Sequence, residues 1–181
     1  DLYSVNIGEV NRLYRNVGNG SFGDTAVQAG VLFPVEGGYV AFFFDLDNDG
    51  LLDLFVPCYH NGRTRDIESY IYWNKPDRGF SASDFTRLFA HSASGCVAAD
   101  FNENGWVDLA IANHKVYGDQ VAYSDVWWNG PDGFDEKHRT HLPSSGPHGM
   151  TSVDPGNLMD RGHEEYYVSE PHEGPEGARD S

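Results

Sequence analysis

The sequence predicts an all-β protein assembled from repeated units of four short antiparallel strands. Three observations carry this reading. Among 181 residues there are 21 Gly and 9 Pro, which cut the chain into short segments. An acidic nine-residue pattern occurs twice, and an aromatic-Asn marker keeps step with it. Hydrophobic content of 39% and aromatic content of 14% supply enough apolar surface for a packed core.

The first acidic pattern is Asp45-Leu46-Asp47-Asn48-Asp49-Gly50-Leu51-Leu52-Asp53, between the apolar runs Tyr39–Phe44 and Leu54–Val56. Four carboxylates in so short a stretch repel one another unless a cation sits among them. An all-oxygen ligand set with alternate spacing favours a hard ion, Ca²⁺ above Mg²⁺, because Ca²⁺ accepts more ligands in looser geometry. An EF-hand also begins this way, but it needs a Glu at the twelfth position and helices on both sides. Here that position is Val56 and the flanks read as strands. The expectation is a calcium loop at the tip of a β-hairpin, using side-chain oxygens of Asp45, Asp47, Asp49 and Asp53 and a main-chain oxygen near Leu51.

The pattern returns as Asp100-Phe101-Asn102-Glu103-Asn104-Gly105-Trp106-Val107-Asp108, a shift of 55 residues. A second site is therefore expected at Asp100, Asn102, Asn104, Trp106 and Asp108, giving one to two Ca²⁺ in all. The marker recurs at Arg15-Asn16, Trp73-Asn74 and Trp128-Asn129, with its Asn residues 58 and 55 apart. This period suits the blades of a β-propeller. Four strands are expected in each unit: Tyr39–Phe44, Leu52–Cys58, Ser69–Trp73 and Phe85–Phe89, then Cys96–Ala99, Val107–Ala112, Asp125–Trp128 and Lys137–Leu142. The first strand of each, nearly all apolar, is expected to be buried on both faces. The Trp and Tyr stripe is expected to pack between blades.

The whole of 1–181 reads as a single propeller segment: an outer half-blade at 1–30, blades at 35–89 and 90–142, and a degenerate inner half-blade with a tail at 143–181. In the last part Asp154, Asn157 and Asp160 are wrongly spaced for the same cage, while Tyr166–Ser169 still reads as a strand. Closure of a propeller takes four to eight blades. The remaining blades are expected from a longer parent chain or from a homo-oligomer.

A formal charge of −16 argues against nucleic acid and against an anionic membrane. No stretch is long and apolar enough for a membrane span, and no signal peptide is visible. The chain opens on Asp1 rather than Met, as expected of a processed or excised product. Cys58 and Cys96 are left open between a disulfide and two buried thiols.

Chemistry is sought at the opposite ends of the strands. His60, His114 and His172 follow the outgoing strands, and His91 and His148 precede incoming ones, so they share the side away from the acidic loops. A polar, inherited turn residue explains them as well as a pocket does. The pocket reading joins His60, Arg63, His114, Lys115 and His148, with Tyr59, Asn61 and Asn113, as a ligand site. Imidazole binds transition metals or moves protons near neutral pH, and Arg or Lys holds an anionic sugar. There is no phosphate loop, Gly-x-Ser-x-Gly elbow or Cys/His zinc spacing, and the residues single out no catalytic set.

The Asp45–Asp53 loop with its following Leu-Phe-Val, together with the segment Asn11 to Phe22, resembles the FG-GAP/VCBS repeat family, well over residues 11 to 142 and poorly elsewhere. The resemblance implies a calcium-binding β-propeller, as in integrin α heads and many secreted bacterial proteins. It also implies an extracellular or periplasmic setting and a role in binding carbohydrate or protein. It fixes no activity, because such members include adhesins, lectins and polysaccharide lyases. A lyase-like carbohydrate-active enzyme using the His-rich face is the alternative. Asn102 and Asn104 depart from the pattern by weakening the charge of the second loop.

Overall fold

The computed structural model describes residues 1–6, 9–27, 40–115, 122–153 and 165–169. All regular elements among them are strands in four antiparallel sheets. Sheet I holds β1 (Leu2–Ser4), β2 (Arg12–Gly18) and β3 (Ser21–Asp24). Sheet II is the meander of β4 (Phe42–Phe44), β5 (Asp53–Val56), β6 (Asp66–Tyr72) and β7 (Phe85–His91). Sheet III repeats it with β8 (Ala93–Ala99), β9 (Asp108–Asn113), β10 (Tyr123–Trp127) and β11 (Arg139–Pro143). Sheet IV pairs β12 (Gly149–Val153) with β13 (Glu165–Ser169). The degenerate acidic segment at 154–164 and His172 lie outside the described residues.

Strand alternation explains how the sheets stack. Successive side chains on β5 point to opposite faces. Leu54 and Val56 join Leu13, Ala26 and Tyr72 in a core between sheets I and II. Phe55 on the other face joins Ile71, Leu88, Cys96, Leu109, Ile111 and Trp127 between sheets II and III. Sheet IV continues the stack by laying β12 against β8 and β9. That approach requires glycine, since a Cβ at Gly95 would stand 3.0 Å from the Gly149 Cα.

Burial corrects one expectation. The deepest strands are the second ones, β5 and β9, whose residues are all buried; β4 is only half-buried and β8 is buried over its first part. The reason is position: a first strand is a sheet edge with one neighbour, whereas a second strand is hydrogen-bonded on both sides and covered on both faces. The aromatic marker divides similarly, with Trp127 buried and Trp73 packed against that core. Cys58 and Cys96 are buried free thiols, and burial pushes Cys58 up to about 12 and Cys96 above its usual range.

Candidate metal loops and the opposite histidine face

Both acidic loops are closed by the same backbone network. Gly50 N–H donates to Asp45 Oδ2 at 3.1 Å, and Gly105 N–H to Asp100 Oδ2 at 2.7 Å. Asn48 and Glu103 take positive φ at equivalent places, followed by Gly50 and Gly105 in the same left-handed region. Leu51 and Trp106 each donate N–H to the side-chain oxygen two residues earlier, on Asp49 and Asn104. Asp53 accepts N–H from Leu46 and Asn74 on its two oxygens, and Asp108 accepts from Phe101 and Asn129 in the same way. Asp53 and Asp108 are both fully buried. Burial raises both from their ordinary value, Asp53 to about 6, although the donated N–H groups act in the other direction.

These bonds explain the aromatic-Asn marker. The marker Asn sits at the end of the third strand and ties it to the aspartate that closes the loop. The loops also touch each other: Asn48 Nδ2 donates to the Gly105 carbonyl at 2.7 Å, and Asn129 Nδ2 to the Leu46 carbonyl at 2.7 Å.

The side-chain oxygens above this network differ between the two loops. Asp45, Asp47 and Asp49 bring one carboxylate oxygen each within 4.8 Å of one another. Asp45 Oδ1 and Asp47 Oδ1 are buried without a hydrogen-bond donor. Lys75 Nζ pairs with Asp47 and lies 4.0 Å from Asp49 Oδ2. In the second loop each oxygen of Asp100 accepts an N–H, Asn102 Oδ1 accepts from Asn104, and Asn104 Nδ2 donates to the Asn129 carbonyl. Buried lone pairs without donors are costly, and a cation satisfies several of them at once. The donor set of the first loop fits such an ion. The sequence did not point to Lys75, whose approach to the loop follows from the turn after Asn74.

The two ends of sheets II and III are electrically opposed. Loops 45–52, 73–84, 100–107 and 128–138 carry Asp45, Asp47, Asp49, Asp77, Asp84, Asp100, Glu103, Asp132, Asp135 and Glu136 against Lys75, Arg78 and Lys137. The described loop residues at the other end, in 57–65, 92, 114–115 and 144–148, carry Arg63, Arg65 and Lys115 and no carboxylate. His60, His114 and His148 share that end. Tyr59 connects them, stacked on His114 at 5.6 Å between centroids and edge-on to His60 at 5.5 Å. The His114 and His148 rings lie 4.1 Å apart. His114 Nδ1 faces the Gly146 carbonyl at 3.1 Å, and a Cβ at Gly146 would come 2.7 Å from Lys115 N. Arg63 is exposed beside this group, in a turn where Asn61 Oδ1 accepts the Arg63 and Thr64 N–H groups.

Cross-strand register adds pairings that spacing alone did not reveal. Asp66 and His91 are direct partners on β6 and β7, and His91 Nδ1 lies 2.7 Å from Asp66 Oδ1. Asp125 and His141 are direct partners on β10 and β11, also at 2.7 Å. Buried Asp125 further accepts from Asn113 Nδ2 at 2.7 Å.

Fold and loops together define an all-β repeat protein with metal-type acidic turns at one end of its sheets. Compared with known families, residues 1–56, from β1 through β5, match the model of the FG-GAP-like repeat. The matched span includes the first acidic loop. No curated protein matches the chain. Among the described residues no helix is long and apolar enough to cross a membrane.

Proposed function

We propose that the chain is a calcium-stabilised β-propeller segment that works outside the cytoplasm as a binding module for carbohydrate or protein. One observation carries the calcium part: two buried carboxylate oxygens, on Asp45 and Asp47, have no donor inside a loop held by the Leu46, Gly50 and Leu51 N–H groups. Asp45, Asp47, Asp49 and the Leu51 main chain would hold the ion, with Asp53 framing the loop and offering only the lone pairs its two N–H donors leave, and with Asp100, Asn102, Asn104, Trp106 and Asp108 as a weaker second set. Bound Ca²⁺ supplies positive charge against the clustered carboxylates, so the ion serves the scaffold. The FG-GAP-like repeat supports the propeller reading and the extracellular setting. In this reading sheets II and III are taken as blades, with three-stranded sheet I and two-stranded sheet IV as parts of the flanking ones. The missing blades come from a longer parent chain or from further copies.

Calcium binding is readable from tryptophan. Trp73 and Trp106 line a cleft of about 270 Å³ with Asp47 and Lys75. Titrating Ca²⁺ into EDTA-treated protein should change their fluorescence in a saturable manner, with Mg²⁺ far less effective. A flat response contradicts the calcium reading.

The second reading, a polysaccharide lyase-like enzyme, draws support from the close His114–His148 ring pair beside Tyr59. Absorbance of unsaturated product on acidic polysaccharides tests it, and activity lost in His114→Ala but kept in Asp100→Ala favours it.

A further inference from the structure

The end of the molecule opposite the acidic loops contains a built cleft. It has a volume of about 490 Å³ and is lined by His60, Gly62, Arg63, Thr64, Arg65, Asp66 and His91. Its chemistry is dominated by donors. Arg65 is held in place, with Nη1 donating to Ser92 Oγ at 3.0 Å and its guanidinium 5.1 Å from the Tyr59 ring centroid. Gly62 N–H donates to His60 Nδ1 at 3.0 Å, which leaves the proton of the neutral imidazole on Nε2. Arg63 extends into solvent on the turn capped by Asn61. The single carboxylate of the lining, Asp66, orients His91 and keeps its side chain 59% exposed.

Two arginines and a histidine lining one open cleft suit an oxyanion, and Arg presents the fork that suits a planar carboxylate. Their placement gives weight to this match. The chain as a whole carries −16, yet the described loops and cleft at this end carry three cations against one carboxylate, Asp66. The lining contains no aliphatic or aromatic hydrocarbon side chain, so it lacks the apolar anchor on which protein interfaces concentrate their energy. Thr64 and the exposed Asp66 carboxylate instead suit a partner rich in hydroxyl groups.

We infer that this cleft binds an acidic saccharide through the carboxylate of a uronate residue, held by Arg63, Arg65 and His60, with Asp66 accepting from a sugar hydroxyl. The inference rests on the binding-module reading above and gives it a ligand class and a site.

Calorimetric titration of the full 181-residue chain in Ca²⁺ tests it with four probes: tetragalacturonate, the neutral tetrasaccharide of galactose, tetraglutamate and inorganic sulfate. Tetragalacturonate should bind at least about tenfold more tightly than each of the other three. Arg63→Gln should weaken it by about tenfold or more while leaving the thermal midpoint in place, because the exposed guanidinium makes no side-chain bond among the described residues. Arg65→Gln should weaken it as well, and its packing against Tyr59 and Ser92 makes Arg63→Gln the cleaner variant. Equal binding of the neutral sugar, of tetraglutamate or of sulfate overturns the inference, as does no binding of tetragalacturonate. If the calcium fluorescence response persists while tetragalacturonate is ignored, the ligand inference alone fails. If that response is absent too, the reading beneath it fails.

Discussion

The two acidic loops share a backbone and differ in what stands above it. Asp53 and Asp108 each clamp the loop to the third strand, and Gly50 and Gly105 each return to the first aspartate. Above this frame the first loop leaves Asp45 Oδ1 and Asp47 Oδ1 without donors, whereas the second satisfies its oxygens from its own N–H groups. Two Asp-to-Asn differences accompany this change, while the donors to Asp100 are the backbone N–H groups of Asn104 and Gly105. An amide carries no charge and supplies donors, so a loop with Asn102 and Asn104 holds together with less need of a cation. The frame thus belongs to the fold, and the oxygens above it belong to the ion.

Breaking the shared frame should have the largest effect. Asp53→Ala or Asp108→Ala leaves two buried N–H groups without acceptors, at about 1–3 kcal/mol each. Chemical denaturation should show losses of roughly 2–6 kcal/mol for either variant. Similar losses in the two are part of the expectation, because the clamps are equivalent. A cost near zero for one of them would separate the loops at the level of fold.

Removing the difference from the first loop comes next. Asp45→Asn combined with Asp47→Asn should abolish the tighter calcium event in calorimetric titration and leave any weaker event at the second loop. The double variant should be no less stable than the parent in EDTA, since it removes two half-buried charges, each with one oxygen lacking a donor, and the Lys75 pair it also loses is partly screened. The converse change is smaller. Asn104→Asp should strengthen calcium binding at the second loop and cost about 1 kcal/mol in EDTA, because the bond to the Asn129 carbonyl is lost. The smallest effect belongs to Lys75→Met. Its side chain is 28% exposed and its ion pair with Asp47 is partly screened. Calcium affinity at the first loop should rise about 2–5-fold when this competing cation is removed.

Much of this arrangement was legible in the sequence because it is written in local spacing. Turn glycines, alternating aspartates and apolar runs placed the strands of sheets II and III within a few residues, and the 55-residue shift aligned the two loops. The marker Asn74 and Asn129 was visible as a repeat, but its bond to Asp53 and Asp108 was not, because that bond depends on which strands become neighbours. Asp53 is a case in point. Spacing grouped it with the ligands, and the structure shows both of its oxygens engaged by backbone N–H groups. The cross-strand pairs Asp66–His91 and Asp125–His141 depend on register, and Lys75 on the path of a turn, so neither was readable from spacing. Burial was misplaced for a related reason. Apolarity marked the first strands, while being an edge or a centre decides which strand is covered.

The central claim is that calcium at Asp45–Asp53 holds the scaffold. Its most direct test is the thermal unfolding midpoint measured in EDTA and again with Ca²⁺ in excess. Calcium at about one hundred times its dissociation constant stabilises a folded state by roughly 2.7 kcal/mol. For a chain of this size that corresponds to a rise of roughly 5–10 °C. A rise of that order, lost in the Asp45→Asn, Asp47→Asn variant, is the result predicted. The same midpoint with and without calcium would contradict the account.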